Sequence, residues 1–497
     1  MMHRHTRPTP RSGGLRANAL GAADAVVMAI AGTAPAYTLA ATTAVLAAAA
    51  GLASPASLFW CALPMTGVAL AFKYLGRLDA NAGASYSWVA RALHPVLGFI
   101  SGWALVVSAT IFMVAAALPA GSYTLSLLPV SWPHDQMLAT AVGALWFLLM
   151  SAVVVMGARI TASAQWLMTG IEVTILLVVG ITAVARGGVQ VFSWSWLFDL
   201  TGVGGAQGFA SVALIAAFYF WGWDVTANLG EETSRTGRGS GWGGLLGLCS
   251  SLVLFEILTI AVNLVLSQPD IQANSETVLA ALGDALWPGW GGKVMVIAVM
   301  FSTIATLETT LIQVSRTLFA MGRDRTVPAA FGLTHPQWKT PWVAVAAVTA
   351  VSLVLLIASS TLGPISTILS DAFSAIGLQI TVYYCLAGTA VVVAYRKLLL
   401  RSVSNAVFIG LLPLAGSLFM LWVLCQSLLT LDAATLQIGL GALAAGALPL
   451  IWYRRAGSDF YTPHNRLDAE AADLIEPHHS ATIPLVSDHY DGRVGDL

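Results

Sequence analysis

Glu172, Asp224, Glu256, Glu308 and Asp371 stand inside long apolar runs. A carboxylate in hydrocarbon is costly, so each is a candidate for handling an ion or a charged solute. Glu172, in "QWLMTGIEVTILLVVG" (165–180), leaves three readings open. It is a protonatable carboxylate, the counter-ion of a cationic group, or a hydrogen-bond acceptor that steadies an interrupted helix. Asp224 closes "FYFWGWD" (218–224) and either meets a substrate or coupling ion or caps a new helix. Glu308 and Glu256 read as inward-facing structural pairings, and Asp24 and Asp371 carry less weight. Glu231 and Glu232, near Arg235 and Arg238, read as a solvated or salt-bridged helix end, or as a gate closing on Arg77 or Arg91. Ser302, Thr303 and Thr306 have hydroxyls suited to a hard cation such as sodium, or to close helix packing. Glu172 favours a proton over sodium as the coupling ion.

Two segments of unusual chemistry must position these groups. Gly32-Thr33-Ala34-Pro35 interrupts one apolar run, since proline lacks a backbone donor and clashes with the preceding turn. Gly222, among the bulky aromatics Phe218, Tyr219, Phe220, Trp221 and Trp223, interrupts another run five spans later. Matched interruptions in two halves point to a transport site built from inverted repeats. A broken helix bares N–H groups where its second half starts and C=O groups where its first half ends. The first end suits a carboxylate and the second an ammonium. The two breaks together offer both poles that a zwitterion needs. The aromatics of the second suit a pocket that clamps an apolar or aromatic side chain.

The surrounding chain expects lipid. Its 497 residues are 57% hydrophobic and 9% charged, against about 25% charged in a soluble domain. Twelve runs reach the roughly 20 apolar residues of a spanning helix: about 21–48, 55–75, 85–118, 136–157, 160–185, 207–229, 242–267, 292–321, 341–358, 364–395, 403–428 and 433–453. They do not alternate as barrel strands would, so the fold class is all-α integral membrane. If the sides alternate from a cytoplasmic N-terminus, every one of the 23 lysines and arginines except Arg186 and Lys293 falls on the cytoplasmic side. That asymmetry fits twelve crossings with both termini inside. Residues 1–19 lack the apolar core of a cleaved signal peptide, and 456–497 read as a mobile cytoplasmic tail. Tryptophans near span ends (Trp132, Trp287, Trp290, Trp342, Trp452) read as an interfacial belt. The four cysteines lie far apart in apolar runs, and His3, His5, His478 and His479 sit in the tails, so no metal site or cofactor is expected. A net charge of −1 suggests no nucleic-acid partner. No His, Asp or metal-ligand cluster gathers at one interface, which argues against an enzyme, and no filter-like loop argues for a channel.

Four stretches carry a resemblance. "FYFWGWDVTANLGEETSRTGR" (218–238) resembles the sixth-span signature of the amino acid–polyamine–organocation permeases, and "GTAPAYTLA" (32–40) their broken first span. "NAGASYSWVARALHPVLGFISGW" (81–103) resembles the entry to their third span, and "VSRTLFAMGRDRTVPAAF" (314–331), followed by Thr340-Pro341, the end of their eighth. The stretches run in family order across about residues 20–400. The resemblance implies five spans, an inverted five, and two more: a first repeat over about 20–186, a second over 205–396 and extra helices over 403–453. It implies that Gly32, Thr33 and Ala34 present N–H groups to a substrate carboxylate. Phe218, Tyr219 and Trp221 would present carbonyls to its amino group, and the side chains of Phe220, Trp221 and Trp223 would gate or line the pocket. One departure is Ala34, where many relatives carry a second glycine; with Pro35 it bears on how closely a substrate approaches and on its size or class. Some proton-coupled relatives carry a lysine at the position of Glu172, where a carboxylate must act differently.

The expected function is a secondary permease of the cytoplasmic membrane, a symporter moving amino acids by alternating access with protons. Its partners would be a small-molecule substrate and lipid. The competing expectation is an exchanger or exporter of polyamines or other organic cations on the same fold, with Asp224 or Glu172 as counter-ion.

Overall fold

The computed structural model describes residues 14–128, 135–234, 239–275, 277–359, 365–462 and 466–470. Arg235, Arg238, Trp132, the four tail histidines and most of both tails lie outside the described residues. No strand occurs among the described residues; Leu20 and Thr233 form an isolated bridge.

The first expected run is two helices, α1 (Ala22–Thr33) and α2 (Pro35–Ala50), separated by Ala34 at φ 46°, ψ 65°. The Ala34 N–H turns back onto the carbonyls of Ile30 and Ala31, which ends α1 in a left-handed cap. Pro35 then opens α2 at the position where a missing N–H costs nothing. α3 (Ser54–Leu78) follows. The third expected run, 85–118, is itself divided: α4 (Ser85–Ala92) stops before His94-Pro95, and α5 (Pro95–Ser126) extends past the expected end. The His94 ring accepts the Val96 N–H (3.2 Å) and Pro95 starts α5, so this dipeptide is both stop and start.

α6 (Gln136–Met156) and α7 (Ala158–Arg186) lie close to their expected bounds. After the short α8 (Ser195–Phe198), the sixth run divides into α9 (Gly205–Tyr219) and α10 (Val225–Asn228), with Phe220–Asp224 unwound and Gly222 at φ +92°. α11 (Gly239–Val265) leads through two short helices that the sequence did not announce, α12 (Gln268–Ala273) and α13 (Val278–Leu286), into α14 (Gly291–Arg323). α15 (Trp342–Ser359) and α16 (Ile365–Ala394) follow. α17 (Val403–Asn405) passes through a π-helical turn, Ala406–Leu411, into α18 (Leu412–Thr430); α19 (Ala433–Ala445) and α20 (Ala447–Arg455) follow.

Among the described residues, ten helical stretches are long and apolar enough to cross a bilayer. One of them, Ala22–Leu78, spans 57 residues, far more than one crossing uses; α9 is a shorter apolar helix. α5 and α14 form the centre and bury most of their surface. The outer helices are turned inside out relative to a soluble protein: Leu145, Leu148 and Leu149 on α6, and Val351, Val354 and Ile357 on α15, face outward. In water such a belt would drive association; against lipid tails it costs nothing. Packing is tight enough to exclude a methyl group, since a Cβ on Gly121 or Gly143 would enter a carbonyl of the facing helix, α6 or α5. The tail was expected to be mobile, yet residues 466–470 are tied down. Leu467 N–H donates to Arg91 O (3.2 Å), Ala469 N–H to Ala394 O (3.0 Å), and Asp468 pairs with Arg396 (2.7 Å) and Lys397 (3.1 Å). The Lys397 ammonium beside Asp468 holds its carboxyl below the usual range.

The left-handed conformation costs a non-glycine residue about 1–2 kcal/mol. Ala34→Gly should therefore leave the protein as stable or raise stability by up to ~1 kcal/mol, after the added freedom of the unfolded chain is counted. Ala34→Val should lower it by at least ~1 kcal/mol. Thermal unfolding of the detergent-solubilised variants measures both.

Candidate functional site

The two interruptions touch. A Cβ on Gly32 would collide with the carbonyl oxygen of Gly222, and a Cβ on Gly222 with that of Gly32. Main chain lies directly on main chain at the middle of the bundle, and both glycines are required by that approach.

Around the first break the backbone groups are all engaged. Gly32 and Thr33 belong to α1 and use their N–H groups in its ladder, while Ala34 donates to Ile30 and Ala31. These three therefore do not present free donors, contrary to the expectation carried by the resemblance, because α1 runs on to Thr33. With Pro35 lacking an N–H, the free donors are those of Ala36 and Tyr37. Ala36 donates to Glu172 Oε1 (2.8 Å) and Tyr37 to Ser302 Oγ (3.1 Å), and Ser302 donates to Glu172 Oε1 (2.7 Å). A buried carboxylate thus sits at the start of α2, where the helix dipole favours an anion. Of the three readings of Glu172, the acceptor steadying a broken helix describes this geometry. Threonines meet the carbonyl end: Thr306 Oγ1 donates to Gly32 O (3.3 Å) and Thr38 Oγ1 to Thr33 O (2.8 Å). Thr303 donates to Val299 of its own helix (2.6 Å) and does not reach the break.

At the second break, Phe218 O accepts the Trp221 N–H (3.2 Å) and Phe220 O accepts the indole N–H of Trp223 (2.9 Å). Asp224 precedes α10 without capping it through its side chain. Its carboxylate turns instead toward α14 and α16, where Oδ2 accepts from Gln313 Nε2 (2.8 Å) and the Tyr383 hydroxyl (3.0 Å), and Oδ1 from the Tyr384 hydroxyl (3.2 Å). Trp221 Nε1 donates to that same Tyr383 oxygen (2.6 Å). Sequence reasoning missed Gln313, Tyr383 and Tyr384; the adjacent phenols in the apolar run of α16 were the available signal.

The aromatics divide by direction. Phe218 packs on Phe373 (ring centroids 4.4 Å apart) and Trp221 on Phe112 (5.2 Å), with Tyr37 against Phe112 (6.1 Å). Together they close one side of the breaks. Tyr219 and Phe220 pack instead on Phe255 of α11 (4.9 and 5.9 Å), and Trp223 lies between Phe72 and Tyr384 (5.2 and 5.8 Å). Of the three side chains expected to gate the pocket, Trp221 joins this closure.

The other side, where the helix ends carry the basic residues, is closed by charge. Arg316 and Glu232 form a fully buried pair, with Nε to Oε2 at 2.9 Å and Nη2 to Oε1 at 3.3 Å. The Glu232 carbonyl holds the N–H groups of Ala19 and Leu20 (2.8 and 3.1 Å), and Ser234 N–H returns to Leu20 O (2.9 Å). Glu231 pairs with Arg323 (3.0 Å) and accepts the Ala82 N–H (2.9 Å). Arg91 pairs with Asp79 (2.7 Å), whose burial pushes its carboxyl up against the opposing pull of Arg91. The partners of the two glutamates are thus Arg323 and Arg316, not Arg77 or Arg91. The end of α14 brings its arginines beneath α10, whereas Arg91, on α4, meets the loop after α3.

A family profile described as "Amino acid permease" matches residues 20–439. An uncharacterized transporter of Mycobacterium tuberculosis is 28% identical over 360 residues, 72% of this chain and 76% of the relative. A serine/threonine exchanger of Bacillus subtilis is 23% identical over 391 residues, 76% of this chain and 83% of the relative. A low-affinity putrescine importer of Escherichia coli is 27% identical over 308 residues, 58% of this chain and 63% of the relative.

Removing one partner of a buried ion pair costs about 3–5 kcal/mol, and replacing both with apolar residues recovers most of it. Arg316→Met and Glu232→Leu should each destabilise by that amount, and the double variant by far less than the sum. A double-mutant cycle by thermal unfolding reads the difference.

Proposed function

This chain belongs to the amino acid permease family, and from that membership we propose that it is a symporter that moves amino acids across the cytoplasmic membrane with protons, by alternating access. That it is a multi-pass membrane transporter of a small molecule, and not an enzyme, follows from the family and its relatives. The proposal adds the substrate, the ion and the cycle. It also takes the fold as twelve crossings with both termini cytoplasmic, five spans over about 20–186 answered by an inverted five over 205–396, and two appended helices.

One observation carries the reading: Glu172 occupies the start of α2, bonded to Ala36 N–H and Ser302. A substrate carboxylate is drawn to that same helix end. An ionised Glu172 excludes it by occupying the donor and by like charge; a protonated Glu172 gives up most of its hold on the Ala36 N–H and leaves the end open to the substrate. Substrate and proton then load together. The amino group would find the carbonyl end of α1 and, near α10, the Asp224 carboxylate. Release requires one of the two closures to part: the Phe218–Phe373 and Trp221–Phe112 contacts on the aromatic side, or the Arg316–Glu232 and Arg323–Glu231 pairs on the basic side.

A second reading has its own support. Asp224 is a buried carboxylate flanked by Trp221, Trp223, Tyr383 and Tyr384, an environment that suits an organic cation. A polyamine has no carboxylate and would leave Glu172 in place. The two readings differ in which acid they need.

Uptake of labelled amino acids and putrescine into proteoliposomes, with and without an inward proton gradient, tests both. The symport reading expects amino acid accumulation driven by the gradient. It also expects Glu172→Gln to abolish the gradient's effect while counterflow exchange persists. Accumulation of putrescine alone, lost in Asp224→Asn, favours the cation reading. No uptake of any compound by folded protein would sink both.

A further inference from the structure

The facing sides of α7 and α14 carry a line of buried polar groups, of which only the end at Glu172 and Ser302 has a part so far. Gln165, Thr169 and Glu172 recur at helical spacing on one face of α7, and all are buried, as is Glu308 on α14. Gln165 Nε2 donates to Ala305 O (2.9 Å) and to Glu308 Oε2 (2.5 Å). Ser302, less than two turns before Glu308, holds Glu172. The helices run antiparallel here, so the two carboxyls mark the ends of a seam about 10 Å long by helical rise. Four of its atoms lack a hydrogen-bond partner: Gln165 Oε1, Thr169 Oγ1, Glu172 Oε2 and Glu308 Oε1. Orphaned buried oxygens are costly, and one on each acid with two more on the α7 face between them call for mobile hydrogen.

No basic side chain bonds to either carboxyl among the described residues. Arg159 and Arg186 lie at the ends of α7 and Lys293 at the start of α14. Arg316 is held by Glu232, and Arg323, at the end of α14, by Glu231. α1 contributes Asp24, which accepts from Trp166 Nε1 (2.8 Å); α2 contributes Tyr37, which donates to Ala115 O (2.7 Å). α5 brings Tyr123, α11 Glu256, and α13 Asp284, which accepts the Gly292 N–H (2.9 Å). α6 and α15 bring no ionisable group. Glu308 is therefore no half of an ion pair. Toward the basic end of the two helices the seam closes on Glu308, about two turns before the buried Arg316.

We propose that Glu308 is a second proton-holding station and that the α7–α14 seam is a relay carrying the coupling proton between Glu172 and Glu308. The O–H bond at Glu172 Oε2 breaks, and the proton passes through the Thr169 hydroxyl and water. A new O–H bond forms at Glu308 Oε1, while Gln165 holds the other oxygen of that carboxyl. No electrons change hands. This inference rests on the proton-coupled reading above, and its test does not require the substrate.

The full-length protein in lipid is studied by infrared difference spectroscopy. The band of the protonated Glu172 carboxyl is assigned by its loss in Glu172→Gln. The rate at which that band shifts on transfer to deuterated buffer is then measured. Glu308→Gln and Thr169→Val should slow deuteration by at least about tenfold, equivalent to ~1.4 kcal/mol of barrier, while the band itself and the melting temperature persist. Thr169→Ser, which restores the hydroxyl, should recover the wild-type rate. Unchanged rates in both blocked variants would overturn the relay, as would equal slowing in Thr169→Ser. Absence of a protonated Glu172 band at any pH would remove the proton-coupled reading itself, and so the two failures are distinguishable.

Discussion

In a bilayer no backbone amide or carbonyl can be left to the solvent, and the molecule is organised around that demand. Two helices are cut and their ends laid against each other at Gly32 and Gly222. The groups freed by the cuts are met locally or from a neighbouring helix. α7 and α14 supply Glu172 and Ser302 for the start of α2, and α14 supplies Thr306 for the end of α1. The composition of these helices follows from the task. α14 is amphipathic toward the breaks, with hydroxyls, an acid, an amide and an arginine buried along its length, because it is the helix that both cuts lean on.

The two sides of the breaks are closed by different physics. Aromatic rings seal one side through contact area and edge-to-face geometry, which are insensitive to salt and reform readily. Buried ion pairs seal the other. Those are expensive to open singly, since a lone buried charge has nowhere to go. On the alternating-access reading proposed above, parting the rings and separating Arg316 from Glu232 are unequal barriers. The Glu232 carbonyl also anchors Ala19 and Leu20, so the stretch ahead of α1 moves with that pair.

Much of this was legible in the residues. Proline after Gly-Thr-Ala, and glycine among tryptophans, located both breaks to within a residue or two, because their steric rules act locally. Helix extents followed from apolar length. His94-Pro95 carried the division of the third run in plain view, but a long apolar stretch outweighed it. What the sequence withheld were choices of partner. Asp224 was weighed as a cap and found with Gln313, Tyr383 and Tyr384; Glu231 and Glu232, read as a salt-bridged helix end or a gate on Arg77 or Arg91, pair with Arg323 and Arg316. Those pairings join residues far apart in the chain, and no local rule fixes them. The N–H donors at the first break moved from Gly32–Ala34 to Ala36 and Tyr37 because one extra residue of α1 kept its ladder intact.

The strand-like tie at residues 466–470 has a mechanical corollary. It stitches the ends of α4 and α16 to each other from beneath, bracing the part of the bundle opposite α1 and α10. The floor under α4 and α16 is thus fastened by a segment that belongs to neither helix, through two backbone bonds and an ion-pair cluster.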